Sequence, residues 1–478
     1  MAEWDLLLRD AHLIDGSGRA AERADVAIAG GRIAAIGRLD PAGAASVREL
    51  DGLALAPGFI DVHTHDDRLV LSSPDMTPKV SQGVTTVVVG NCGISLAPLG
   101  EREAVPPLNL VAGDDDLRFE RFADWFAALD ARPASVNCAA LVGHTTLRVR
   151  TMSNVDRVAD DDEIAAMQAL VSEALEAGVI GASTGTFYAP GNAASADEIR
   201  RVLAPLRGSG ALIASHLRDE GDEVIASMEE AVGIARALGV RQVLSHHKLA
   251  GTRNHGRSVE TLARIDGLRR EADVCLDCYP YAAASTVLDP ATVAVASRTV
   301  VTWSVPRPEV AGRDLAELVA ESGEGLQATI AALQPAGAIY FMMDEQDVER
   351  ILAHPETMIG SDGLPHDRFP HPRLWGAFPR VLGHYRRERG LFALEVAVRK
   401  MTGLSAERFG LHDRGFVRPG LAADLVVFDP ETVADAASFT APTRPAEGIV
   451  SVFVNGVETW RDGRHTGARA GAALRRSA

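Results

Sequence analysis

The chain has 478 residues, a formal net charge of -17, 46% hydrophobic residues and only 5% aromatic ones. That length calls for one large domain with a smaller companion. So acidic a balance argues against nucleic acid or an anionic membrane as a partner, since both need a basic face; a small anionic substrate stays open, because a pocket can be locally positive.

The first residues, Met-Ala-Glu-Trp-Asp, lack a basic start followed by an apolar core, so no signal peptide is expected. No apolar run reaches the ~18 residues of a membrane-spanning helix. The cysteines Cys92, Cys138, Cys275 and Cys278 have no disulfide-framework spacing. Cys275 and Cys278 fall in one strand pattern and point to opposite faces, which makes them packing residues. A cytoplasmic location is expected.

Residues 1–57 alternate short apolar runs, Leu6-Leu7-Leu8, Val26-Ala27-Ile28 and Ile33–Ile36, with turn signals such as Asp15-Gly16 and Asp51-Gly52. Residues 415–478 repeat the style, with strands over Ala423–Asp429 and Ile449–Gly456. The two ends are expected to build one small composite β-sandwich or barrel domain, since chain termini often lie close together.

Residues 58–414 alternate strands with helices. Strand patterns fall at Phe59–His65, Thr85–Gly90, Ala139–His144, Val179–Gly185, Leu212–His216, Gln242–His246, Val274–Tyr279 and Met358–Asp362. Helical spacing is plainest from Asp161 to Ala177, where Ile164, Met167, Leu170, Val171 and Leu175 form an apolar stripe ended by Gly178. Ala194–Leu206 and Asp222–Leu238 read likewise. Eight strands with helical crossovers predict an α/β fold of the (β/α)8 TIM-like barrel type, with chemistry at the C-terminal strand ends. A doubly wound sheet ranks second, because no Gly-rich phosphate loop follows the first strand. The interval from about 284 to 344 is too long for one helix and carries its own strand (Thr299–Trp303) and helix (Asp314–Glu321). It reads as an insertion over the barrel mouth.

Polar residues recur at those strand ends: His63 and His65 at the end of the first, Cys92 just past the second, His216 at the fifth, His246 at the sixth and Asp362 at the eighth. Each alone has an ordinary packing or loop reading; their recurrence at one end of different strands points to a metal centre. A soft thiolate with imidazoles suits zinc. Zinc lowers the pKa of a bound water to near ~7, and Asp362 is placed to move a proton from that water to a departing amine. His247, beside His246, should face away and be structural.

The run Gly58-Phe59-Ile60-Asp61-Val62-His63-Thr64-His65, with the later His, His and Asp, resembles the amidohydrolase superfamily. Many two-metal members bridge their ions with a carbamylated lysine on the fourth strand. Here that strand, Val179–Gly185, has no lysine, and Cys92 in Val89-Gly90-Asn91-Cys92-Gly93 fills the gap. With Ser215–Glu220, His246-His247-Lys248, Gly360–His366 and Pro370–Gly376, the chain is similar to the N-acyl-D-amino-acid deacylase (D-aminoacylase) family.

The resemblance implies a tight zinc on Cys92, His216 and His246, and a weaker second site on His63, His65 and the shared Cys92. It implies Asp362 as the catalytic acid and base, Lys248, Tyr279 and Arg373 on the substrate α-carboxylate, and Tyr188 and Ser285 in the pocket. The activity implied is hydrolysis of N-acyl-D-amino acids to a carboxylate and a free D-amino acid; selectivity for the D form comes wholly from the resemblance. The insertion's Val287, Leu288, Val301 and Trp303 favour neutral side chains, whereas Arg298 would pair with the carboxylate of an N-acyl-D-glutamate or D-aspartate. A cyclic amidase of the hydantoinase type and a non-catalytic amidohydrolase-fold scaffold are the further alternatives. The expected partner is the small N-acyl amino acid alone, with neither nucleic acid nor membrane, and a monomer is compatible with it.

Overall fold

The computed structural model describes residues 2–112 and 117–476. Five strands come first: β1 Leu6–Leu13, β2 Glu22–Ala29, β3 Arg32–Gly37, β4 Val47–Glu49 and β5 Ala54–Pro57. Parallel strands follow, each separated from the next by helices or loops: β6 Phe59–Asp61, β7 Val84–Val89, β8 Asn137–Gly143, β9 Gly181–Gly185, β10 Leu212–His216, β11 Arg241–Leu244 and β12 Val274–Cys278. The insertion then forms an antiparallel sheet from β13 Ala283–Val287, β14 Arg298–Ser304 and β15 Ala336–Phe341, with β15 in the middle. The eighth barrel strand is β16 Thr357–Ile359, which pairs with β12.

The barrel strands are near-continuous apolar runs, as strands covered on both faces must be. Their side chains alternate. Ile60, Val88, Ala139, Leu141, Leu212, Ala214, Val243, Cys275 and Met358 pack together inside the barrel, while Val87, Val89, Ala140, Val142, Ile213, Leu244, Leu276 and Cys278 face the surrounding helices. Cys275 and Cys278 therefore lie on opposite faces, as the spacing predicts. Leu404, Ala406, Phe409 and Leu411, on and just after the helix Gly403–Phe409, close the cluster at the end away from the strand C-termini.

Between β16 and β6 the ladder thins to a bridge from Thr64 to Gly363 and a bond from Asp362 N to His63 O at 2.7 Å. Side chains reinforce this seam. The fully buried Lys79 donates to Asp61 Oδ2 and to Ser361 Oγ, each at 2.8 Å, and lies 3.2 Å from Asp66. Ser361 N donates to Asp61 Oδ1 at 2.8 Å.

The chain ends share one sheet. β17 Leu425–Phe428 pairs antiparallel with β5, and β18 Ile449–Val454 and β19 Val457–Arg461 extend it. The helix Asp161–Ala177 has the predicted ends: Asp160 and Glu163 form a capping box, and Gly178 stops it in the left-handed region at φ 110°. The helix read over Ala194–Leu206 is instead split into Ala196–Val202 and a 3-10 turn Ala204–Leu206, because Pro205 has no N–H to continue the ladder.

Candidate metal centre and substrate cavity

The strand read over Phe59–His65 ends at Asp61, so His63 and His65 lie just beyond it. Loops at the same barrel end bring Cys92, His216, His246 and Asp362 to them. Two groups of ligand atoms result, each with all its atoms within 4.8 Å of one another: His63, His65, Cys92 and Asp362, and Cys92, His216 and His246. The sulfur of Cys92 lies 3.2 Å from His63 Nε2 and 3.3 Å from His246 Nε2. His246 Nε2 and His216 Nδ1 are 2.9 Å apart, a separation that two imidazole nitrogens sustain by sharing a proton or a cation.

Backbone conformation aims these side chains. Cys92, His246 and Asp362 all have positive φ, at 53°, 35° and 50°. Residues with a Cβ adopt this region at some cost, and such positions gather at functional sites. Each falls just past a strand, where the reversal breaks the alternation and turns the side chain over the barrel mouth. Gly185, at the end of β9, has no such freedom: a Cβ there would meet Cys92 O at 2.0 Å. The Cys92 loop thus fills the space that a longer fourth-strand side chain would need.

Electrostatics favour the charged forms. Burial alone would raise the Cys92 thiol, but the imidazoles of His63 and His246 outweigh it and hold the group well below its ordinary value. Burial would likewise raise Asp362; Arg373 and His65 outweigh it, so the carboxylate is the resident form. A thiolate with imidazoles that give up their protons on binding a metal is a donor set that suits zinc.

Two buried carboxylates stand behind the histidines, and sequence reading missed both. Asp277 Oδ1 lies 3.4 Å from His63 Nδ1 and accepts from His246 N at 2.8 Å. Glu220 Oε1 lies 3.1 Å from His246 Nδ1. An acid inside the buried strand β12 was a readable signal for Asp277, since a buried charge needs a partner; Glu220 offered only its place four residues after His216. His247 faces away and contacts Thr261 Oγ1 at 2.9 Å, as expected of a structural residue.

A cavity of about 220 Å³ opens beside the two groups. Ile94, Leu110, Phe187, Val295, Met342 and Leu364 give it apolar walls, and Tyr188, Lys248, Tyr279 and Ser285 contribute polar atoms. Lys248 Nζ donates to Glu220 Oε1 at 2.6 Å and sits 5.7 Å from the Tyr279 ring centre. Tyr188 accepts from Thr286 Oγ1 at 2.8 Å and packs edge-on against His216. The buried Ser285 hydroxyl has no hydrogen-bond partner.

Arg373 packs with Tyr279 and Ser285, whereas Arg298 sits on the outer edge of the insertion. The Arg373 guanidinium is buried against Asp362 Oδ2 at 2.9 Å, donates to Ser285 O at 3.0 Å and covers the Tyr279 ring at 4.5 Å. It touches the site chiefly through Asp362. Arg298 is 55% exposed, lies outside the cavity lining and pairs with Asp314 at 2.7 Å over the Phe341 ring. Its charge is paired on the insertion's outer edge, and in this structure it does not face the cavity.

A family model for the amidohydrolase family matches residues 46–466. The chain belongs to that family. This amidohydrolase is 56% identical to the D-aminoacylase of Alcaligenes xylosoxydans xylosoxydans over 99% of this chain and 98% of that one. It is 54% identical to the N-acyl-D-aspartate deacylase of the same organism, over 98% and 94%. A solved structure of N-acyl-D-glutamate deacylase from Bordetella bronchiseptica, in complex with zinc and a phosphonate mimic of the tetrahedral intermediate, superposes with a TM-score of 0.94. The two are 45% identical, over 99% of this chain and 100% of that one. Among the described residues of this amidohydrolase, no helix is long and apolar enough to cross a membrane.

Proposed function

We propose that the protein is a zinc-dependent hydrolase that cleaves the linear amide of N-acyl-D-amino acids to a carboxylate and a free D-amino acid. The observation that carries this is the meeting of Cys92, His216, His246, His63, His65 and Asp362 at one barrel end, beside a cavity with an unpartnered hydroxyl and a lysine. Cys92, His216 and His246 are the ligands of the tighter ion, and His63 and His65 with Cys92 those of a weaker one. Residues 58–414 are the catalytic unit; 1–57 and 415–478 form the accessory β domain.

When bound, zinc supplies a Lewis acid that polarises the amide carbonyl and makes water acidic enough to react near neutral pH. The remaining work falls to the chain. Lys248, with the hydroxyls of Tyr279 and Ser285, holds the substrate α-carboxylate and so sets the amide over Asp362. Asp362 Oδ1 lies 3.2 Å from His65 Nε2 and takes the proton of the attacking water. It returns that proton to the nitrogen as the C–N bond breaks, so that the amine leaves neutral. Arg373 holds the other oxygen, Oδ2, and thereby keeps Oδ1 turned to the reacting atoms.

Neutral, apolar side chains are the preferred substrates: the cavity walls are mostly apolar, and Arg298 is spent on Asp314. The reading takes the enzyme to act in the cytoplasm on a small molecule. Purified protein assayed on N-acetyl-D-leucine should lose activity to a chelator and regain it with zinc. Activity that survives complete metal removal, or that favours N-acetyl-L-leucine, would overturn the proposal.

A further inference from the structure

One carboxylate serves both histidines of the Cys92–His216–His246 group. Glu220 is 6% exposed on the loop that leaves β10, and its two oxygens divide. Oε2 points to His216 Nε2 at 3.6 Å; Oε1 lies 3.1 Å from His246 Nδ1, a nitrogen that Lys248 Nζ also approaches at 2.7 Å, and accepts from Lys248 Nζ at 2.6 Å. These ring nitrogens are the ones turned away from the Cys92 sulfur. The opposite nitrogens, His246 Nε2 and His216 Nδ1, are those that converge. Bonds between backbones hold the carboxylate there: Ala250 N, on the loop after β11, donates to Glu220 O at 2.8 Å.

A neutral imidazole that gives a lone pair to a metal from one nitrogen carries its proton on the other, and what accepts that proton fixes the tautomer and the ring plane. His216 Nε2 has no hydrogen-bond partner of normal length, and Glu220 is the carboxylate that faces it. We infer that Glu220 is a positioning residue, a single acid that orients both imidazoles of the tighter site and ties them to the lysine on the cavity wall. Glu220 belongs to neither group of converging ligand atoms and acts through the two histidines. The inference rests on the assignment of Cys92, His216 and His246 as zinc ligands.

The test is a chelator-competition measurement of zinc affinity on wild type, E220Q, E220D and E198Q, with absorption spectra of the cobalt-substituted proteins. E220Q keeps the shape but leaves one oxygen to accept; it should weaken zinc by about 10–100-fold, the usual cost of losing such a partner. Its cobalt ligand-field and thiolate charge-transfer bands should move as well. E220D keeps the charge and should recover part of the affinity. Glu198, buried with Arg148 and His144 away from the site, controls for lost stability: E198Q should melt earlier yet bind zinc and colour as wild type does. Unchanged zinc affinity and spectrum in E220Q, or E220D as weak as E220Q, would overturn the role of Glu220 alone. A wild-type protein that holds no zinc, or a C92S variant that holds it as tightly, would overturn the metal assignment and this inference with it.

Discussion

Arg373 Nη1 lies 2.9 Å from Asp362 Oδ2, with both side chains buried beneath the insertion. The guanidinium also reaches Ser285 O on β13, so one side chain joins the proton-transfer residue to the sheet that roofs the cavity. Arg373→Lys removes the planar fork that allows both contacts. It should lower kcat by about 10–100-fold, the scale at which misplacement of a catalytic group is felt, with KM changed by less than about threefold. A rise in KM with kcat preserved would instead return Arg373 to the substrate α-carboxylate.

Replacing Asp362 by Asn keeps size and polarity but removes the base. Turnover of N-acetyl-D-leucine should fall by about 10²–10⁴-fold, the usual contribution of a positioned proton carrier. Zinc measured by atomic absorption should stay bound, because Cys92, His216 and His246 are untouched. Wild-type turnover in D362N would remove Asp362 from its role.

Side-chain preference follows from the walls. kcat/KM for N-acetyl-D-leucine should exceed that for N-acetyl-D-glutamate by about tenfold or more, since the walls are mostly apolar and Arg253, the arginine on them, is already paired with Asp222. R298A should leave the ratio unchanged, because that arginine faces Asp314. A ratio that collapses in R298A would show the arginine swinging into the cavity.

Lys79 sits at the barrel seam between Asp61 and Asp66, all three fully buried. Lys79→Met would leave two carboxylates without their cation. Removing one partner of such a buried group costs about 3–5 kcal/mol, which urea unfolding at neutral pH should register. A loss below about 1 kcal/mol would show that water reaches the seam.

In the composite sheet, Arg48 of β4 forks onto Glu458 of β19 at 2.5 and 2.9 Å. Burial raises the Glu458 carboxyl, but Arg48 and Arg461 outweigh it and hold it at about 2, against 4.5 ordinarily. A folded-state value below the unfolded one adds stability above pH 4.5, lost as pH falls toward 2. Discounted for partial exposure, the contribution is about 1–2 kcal/mol. The stability gap between wild type and E458Q should therefore narrow across that acid window; a constant gap would mean that the pair is screened.

What the sequence could disclose depended on how local the signal was. Eight barrel strands were readable from apolar runs, and the helix Asp161–Ala177 from its box at Asp160 and Glu163 and its stop at Gly178. The histidines, Cys92 and Asp362 were readable because they punctuate strand ends. The insertion's sheet was mostly hidden. β15 Ala336–Phe341 pairs with strands far along the chain and no hairpin turn announces it. Glu220 was hidden for a related reason: its partners His246 and Lys248 come from another loop. The pairing of Arg298 with Asp314 was hidden too, because it declares itself only when β14 and the following helix are packed.

The strand β5, which leads straight into the His63 and His65 strand, pairs with β17 near the far end of the chain. During synthesis β5 keeps a bare edge until the ribosome has released almost the entire polypeptide. The nascent barrel must therefore mature while β5, the strand that leads into it, still lacks one of its neighbours. A premature stop shortly before Leu425 would strip this support from beneath the metal ligands, although every one of those ligands had already been translated.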